Sequence, residues 1–359
     1  MGQPKGIRII TSMSGHEPTL LQRHLLPRRQ WLRSMGGMLA ATAGARAHSA
    51  APTTIRLSHV VAGDTPKGLA LERFRTLVEA RSQGRIQVQI FPQGQLYGDH
   101  DEMQALQLGA VDMLAPSLSK FGPIGFPEFE LFDLPFLFDN VDTVRRLTRG
   151  EVGHRLLQGL QRQRLLGLGF FDNGFKHMSG NRPLLEPRDF AGLRMRIQAS
   201  RVIAQQMRAW GAWPVTLPFS ETRLALENGV VDGTENPVSN FWTQGMQAVQ
   251  HHLSLTAHGY LGYAVVTHQS FWHSLLPAAR TLVQSALDDA LVFANEIADA
   301  HNTRALAALR SSGDIAIHNP ERRHIDKLKA AAQPVYADLQ QRIGSAWLDA
   351  VYAALRKAT

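Results

Sequence analysis

Apolar and polar positions alternate with a period of two along Ile55-Arg56-Leu57-Ser58-His59-Val60 and again along Ile86-Gln87-Val88-Gln89-Ile90, which predicts two strands. Between them Leu71, Phe74, Leu77 and Val78 recur at helical spacing, so a helix is predicted over residues 68–81 and stopped by Gly84. This is a βαβ pattern. A second helix is predicted to follow Asp99 and end at Gly109, leading into the apolar segment Val111 to Ala115. The order then repeats. Leu193-Arg194-Met195-Arg196-Ile197-Gln198 alternates, residues 200–210 are helical in period, 215–217 make a short strand, and Ser220 is placed as the N-cap of a helix ending at Gly229. The segment ALQLGAVD (105–112) returns as ALENGVVD (225–232), identical at five of eight positions and 120 residues on. Each copy is a helix end, a glycine free to turn left-handed, and a buried strand entered beside an aspartate. Helix–Gly–strand is a common junction, and chance is one account of the match; if it is not chance, the molecule has two lobes built alike, and a cleft between such lobes favours a ligand. Residues 278–312 contain neither Gly nor Pro and form one long helix or two abutting ones, enough to cross between lobes.

Composition narrows the function. The chain has 359 residues, 44% apolar and 19% charged, which suits two domains with real cores. It has no Cys, so disulfides, thiolate metal sites, Fe–S clusters and a Cys nucleophile are excluded. A net charge of +8 points first to nucleic acid or an anionic membrane. Its distribution removes that reading: residues 1–50 hold seven basic side chains against Glu17 alone, and the remaining residues carry only +2. The leader is ordered as an export signal, with a basic region, a weakly apolar stretch from Ser34 to Ala45, and small residues that place cleavage near Ala47. Arg28 to Arg33, RRQWLR, resembles a twin-arginine signal. No later stretch reaches the length of apolar residues that a membrane span needs, so the mature protein is expected to be soluble and periplasmic.

Catalytic signatures are missing: there is no Walker loop, HExxH or GxSxG, and the glycines of GLGFFDNG (167–174) are wrongly spaced for a dinucleotide. His251, His252 and His258 read as surface histidines rather than a metal set, and no cofactor is expected. Asp172 and Glu235 could pair as acid and base, but nothing supplies a nucleophile. What remains is a scatter of cations and amides at element ends. Arg196 lies on the strand face opposite Met195 and Ile197, near a strand's carboxyl end, where open α/β sheets bind ligands and where a guanidinium matches a carboxylate. A surface salt bridge is the plainer account of it. Lys67 opens a helix, Lys120 sits on a loop, and both could be ordinary solvated lysines. Asn236, held extended by Pro237, could be a turn residue or a donor to a ligand, while Phe219 and Trp242 could be core or pocket.

The segments SHVVAGDTPKG (58–68), QLYGDHDEMQALQLGAVDMLAPSLSKFGPIG (95–125), FDLPFLFD (132–139), FDNGFKHMSGNRPL (171–184), GLRMRIQAS (192–200), LPFSETRLALENGVVDGTENPVSNF (217–241) and HGYLGY (258–263) together resemble the extracytoplasmic solute receptors of TRAP transporters, most closely the branch that binds four-carbon dicarboxylates. The resemblance covers the chain from Ile55 onward. It implies an α/β, type II-like, two-lobed solute-binding protein with central mixed sheets, crossing strands and a long lobe-spanning helix. Residues 1–50 would be the export signal, 51–173 with 262–301 one lobe, and 174–261 with 302–359 the other. It further implies that Arg196 pairs with a substrate carboxylate, that Asn236 adds a hydrogen bond and that Phe219 forms a pocket wall. His59, Lys67, Ser117, Lys120, Lys176 and Gln198 stand in motifs of the dicarboxylate branch as candidates for the rest of the site. Relatives that bind sialic acid carry Arg where this chain has Lys176, which argues against a sugar acid. The implied partners are a small organic acid such as malate, succinate or fumarate and the small and large TRAP permease subunits, in the periplasm of a Gram-negative bacterium. A receptor for a signalling system, or one for a keto acid or pyroglutamate, is the alternative.

Overall fold

Within the computed structural model, residues 52–356 are described. The export-signal reading falls on residues 1–50 and so lies outside them. β1 (Thr53–Ser58) runs parallel to β2 (Ile86–Phe91) on one side and to β3 (Met113–Leu114) on the other. The helix Pro66–Arg81 joins β1 to β2, its start fixed by the Thr65 side chain accepting from the Gly68 amide. The helix Glu102–Gln107 joins β2 to β3. After β4 (Leu165–Gly180), the same plan recurs. β5 (Arg194–Ile197) is flanked by β6 (Trp213–Thr216) and β7 (Gly233–Asn236), again both parallel, with the helices Arg201–Ala209 and Thr222–Glu227 as crossovers. Ser200 caps the first of these. Ser220 does not cap the second: it lies in a 3₁₀ turn, Phe219–Glu221, which leaves Glu221 at the cap position.

The repeat in the sequence is a repeat in space. Gly109 and Gly229 both take left-handed backbone, with φ of 72° and 64°. The Ala110 amide reaches the Ala105 carbonyl at 2.9 Å and the Val230 amide reaches Ala225 at 2.8 Å, the same helix-ending motif twice. Asp112 then takes the Arg56 guanidinium in two bonds, Nε at 3.0 Å and a terminal nitrogen at 2.9 Å; Asp232 takes Arg194 at 3.1 and 2.7 Å.

Two long strands weld the halves into one sheet of order β2-β1-β3-β8-β4-β7-β5-β6, with β9 (Ala316–His318) beside β8 (His252–His268). β4 and β8 are antiparallel along almost their whole length, interrupted by irregularities at 167/169, 172/174 and 176/178. The helix Pro277–Ser312 is single, 36 residues long and about 54 Å from end to end. It buries Val283, Ala286, Leu287, Ala290 and Ala294 against the core of the first half, and Ala305 and Leu309 against that of the second. The final helix, Ser345–Arg356, follows the second half in sequence but packs Leu348 and Val351 into the core that holds Val144, Leu147, Val152 and Leu156. No described helix is long and apolar enough to cross a membrane.

Candidate functional site

The carboxyl ends of the parallel strands in both halves point at one small cavity of about 30 Å³. From the first half come Val60, Val61, Lys67, Asp99, Ser117 and Lys120; from the second come Arg196, Gln198, Phe219, Asn236 and Asn240; Leu261 and Tyr263 are supplied by β8. Seven of the residues singled out in the sequence (Lys67, Ser117, Lys120, Arg196, Gln198, Phe219 and Asn236) therefore share one wall-to-wall space.

Arg196, 2% exposed, is the third of the four residues of β5. Its Nε and one terminal nitrogen donate to the Leu217 carbonyl at 2.9 and 2.8 Å, and the guanidinium lies 5.6 Å from the centre of the Phe219 ring. Burial draws its pKa below the usual arginine value, with Asp99 and Glu235 pulling the other way. Lys67, 1% exposed, donates to the Ala115 carbonyl at 3.0 Å and stands 3.9 Å above the Tyr263 ring. Burial lowers its pKa to about 7, against the pull of Glu102. Among the described residues neither cation makes an ion pair. Two desolvated cations of this kind are open to an anion: a carboxylate can replace the water they lost with charge-assisted bonds.

Lys120 is in a different condition. It is gripped by both Asp99 and Glu102. Burial works against its charge, yet Glu102 and then Asp99 raise its pKa overall. Between the halves, the Ser117 hydroxyl bonds Gln198 Oε1 at 2.6 Å, and Asp99 accepts the Phe219 amide at 2.5 Å. Asn236 makes only long contacts, to Thr234 Oγ1 at 3.4 Å and Met246 Sδ at 3.7 Å, so its amide is loosely engaged.

Two of the expected residues stand elsewhere. Lys176 is fully buried behind the cavity wall, bonded to Glu235 at 2.6 Å, while the other oxygen of Glu235 is 2.8 Å from His258 Nε2. Burial alone would push the Glu235 carboxyl up; Lys176 and His258 instead hold it at about 2. Lys176 is thus neutralised in place, and an alanine at 259 would set a methyl 2.6 Å from its Cε. His59 is buried too and does not line the cavity; burial, reinforced by Lys67, holds its pKa at about 3, so it is neutral. His258 corrects a further expectation, being an interior residue rather than a surface one. His252 instead meets His318 of the neighbouring strand at 2.8 Å. Among the described residues no set of three acids or histidines gathers to hold a metal. Asp172 and Glu235 are not a catalytic pair, since Asp172 is taken by Arg145 at 2.6 Å and by the Tyr260 hydroxyl at 2.5 Å.

Asp99, Asn240 and Tyr263 escaped sequence reading. Asn173 donates to both Asn240 Oδ1 at 2.8 Å and the Tyr263 hydroxyl at 2.7 Å, and so fixes that side of the cavity. An acid lining an anion site gives no compositional signal, and Tyr263 is hidden in a continuous apolar run.

The model of bacterial extracellular solute-binding protein family 7, the DctP family, matches residues 57–342. The chain belongs to that family. The receptor resemblance carried by the motifs is thereby shown, and the family is one of binding proteins for solutes outside the cytoplasm. A relative from Rhodobacter capsulatus, the C4-dicarboxylate-binding periplasmic protein DctP, is 45% identical over 326 residues, spanning 90% of this chain and 98% of that protein. Among solved structures, a TRAP periplasmic solute-binding protein of Shewanella oneidensis with bound succinate is 38% identical, with a TM-score of 0.83, covering 85% of this chain and 100% of that one. Another, from Pseudomonas aeruginosa with bound L-malate, is 35% identical, with a TM-score of 0.77, covering 80% and 100%. The shared architecture of this DctP family, α/β with a mixed central sheet and a long helix, is the one described above.

Proposed function

We propose that this protein is the periplasmic receptor of a TRAP transporter, capturing a four-carbon dicarboxylate between its halves and delivering it to the small and large permease subunits in a Gram-negative envelope. The observation that carries the reading is the pair Arg196 and Lys67: two buried cations, one from each half, without a carboxylate partner among the described residues and facing one small cavity. The relatives named for C4-dicarboxylates, and those holding succinate and malate, support the same ligand class. Arg196 takes one carboxylate with the guanidinium edge not occupied by Leu217, and Lys67 takes the other. Gln198, Ser117, Asn236 and Asn240 supply neutral hydrogen bonds between them. Micromolar affinity needs about 8 kcal/mol net, within reach of two such charge-assisted contacts in a dry site after ordering costs. No chemical turnover follows from this set of groups.

Calorimetry and thermal shift of the protein beginning near Ala51 against succinate, L-malate, fumarate, pyroglutamate, keto acids and sugar acids test the proposal. Stabilisation by the C4 dicarboxylates, absent in Arg196→Ala, is expected. Binding confined to monocarboxylates, or a panel without any binder, overturns it.

A further inference from the structure

The presence of Asp99 in a site built for anions calls for a physical reason. Its carboxylate is 14% exposed and lines the cavity, where by charge alone it should repel the ligand. One oxygen is bound to Lys120, and the other accepts the backbone amide of Phe219 across the cleft at 2.5 Å. Phe219 is the residue whose ring faces Arg196. Asp99 therefore does two separable things: it ties the first half to the second, and together with Glu102 it balances a cation that would otherwise face the ligand.

We propose that Asp99 is a built-in closing latch that also sets the charge of ligand the cavity prefers, by neutralising Lys120 together with Glu102 and leaving Arg196 and Lys67 as the two cations on offer. This deepens the dicarboxylate reading and rests on it for the choice of probe. The groups that bear on the cluster agree with the assignment. Lys120 on the turn after β3, Glu102 on the following face of the helix 102–107, Lys67 at the start of its helix and Arg196 at the end of β5 all act on Asp99 or on its partner. Burial works against ionisation of Asp99, but Lys120, the Phe219 amide and Arg196 outweigh it, so the latch is charged at neutral pH. Glu102, next to the same lysine, is pushed the opposite way by its burial. Lys120 is thus shared between two carboxylates, and Asp99 is the one of the pair that lines the cavity and reaches across the cleft.

Two substitutions separate the roles. Asp99→Asn keeps an oxygen that accepts the Phe219 amide but removes the charge; Asp99→Ala removes both. The chain has no Cys, so single cysteines introduced at exposed Arg73 and Arg208 report the distance between halves by pulsed electron spin resonance without interference. In ligand-free protein, Asp99→Ala is expected to shift the distances towards an open population, whereas Asp99→Asn keeps the original distribution. Charge selection is read with succinate and its near-isosteric monoamide, succinamate, by calorimetry. Removing one negative charge a few ångströms from the ligand favours each ligand charge, so the preference of Asp99→Asn for succinate over succinamate is expected to rise about tenfold or more. A preference unchanged within about twofold overturns the charge role. Identical distance distributions in all three proteins overturn the latch. If the unaltered protein binds neither acid, the dicarboxylate reading fails, while the distances still decide the latch.

Discussion

The two βαβαβ halves can be superposed residue by residue through their strand registers. In the first, Leu57 pairs with Met113 and Ser58 with Leu114; in the second, Met195 pairs with Gly233 and Arg196 with Thr234. The Arg–Asp clamp, one residue before these pairs, and the glycine helix-end, four residues before Met113 and Gly233, are common to both. From there the halves part. Ser58 stands where the second half has Arg196. Ala115, whose carbonyl receives Lys67, stands where the second half has Glu235, which holds Lys176. Gly233 replaces Met113 because a Cβ there would lie 2.4 Å from the Ser179 carbonyl on β4. What is shared is the local geometry that turns the chain into the central strand. What differs is the charge that each strand's carboxyl end presents to the cleft, and only the second half delivers it on the strand itself.

The largest test of this contrast is Arg196→Ala against Ser58→Ala. Losing the guanidinium leaves a carboxylate desolvated and unpaired, which costs about 2–5 kcal/mol, or at least about thirtyfold in succinate affinity by calorimetry. Ser58→Ala, at the matching position, is expected to leave affinity within about twofold. Equal effects would mean that the halves contribute alike. The second test is Lys67→Met, expected to weaken succinate about tenfold or more while barely changing a monocarboxylate of the same length. A uniform loss for both ligands would remove Lys67 from the second carboxylate.

Acidity sharpens the contrast further. A dianion raises the pKa of Lys67 above the value of about 7 that it has in the free protein, so its contribution is complete below pH 7. Above it, binding must take up a proton, and affinity falls by up to about tenfold per pH unit until the bound-state pKa is passed. Arg196 stays charged throughout. Calorimetry at pH 8 in buffers of different ionisation enthalpy should show net proton uptake that Lys67→Met abolishes; uptake that survives the substitution would place the proton elsewhere. The smallest effect concerns what the halves share. Asp112→Asn and Asp232→Asn should each lower Tm by about 2–4 °C and leave succinate affinity unchanged. A change of affinity in only one of them would show that the clamps are not equivalent.

Most of the fold was legible where one face of an element is buried and the other is not. The strands around Arg56 and Arg194 alternate because their partners and crossovers cover them unequally, and the helices between them show their apolar faces plainly. The long strands were not legible for two opposite reasons. β4 carries four glycines and three breaks of register, so no period survives. β8 from Gly259 to Val266 is buried on both faces, so it reads as an unbroken apolar run without an alternation to find. Spacing alone placed Arg196 at a strand's carboxyl end and drew attention to Lys67, Lys120, Asn236 and Phe219 without deciding their role; His59, Ser117, Lys176 and Gln198 came with the family motifs, and Lys176 shows the limit of that transfer. Its charge is consumed by Glu235, 59 residues away, a partnership that no local pattern encodes.

A cavity of about 30 Å³ holds only a couple of water molecules, and its walls are hydrogen-bonded to each other across the cleft. A four-carbon acid needs more room than that, so these walls must part for it to enter and to leave. Its departure must wait until Asp99 lets go of Phe219 and Ser117 lets go of Gln198, so different acids should share one upper limit on their escape rate. The residence time is then a property of the protein's opening rather than of the acid it holds.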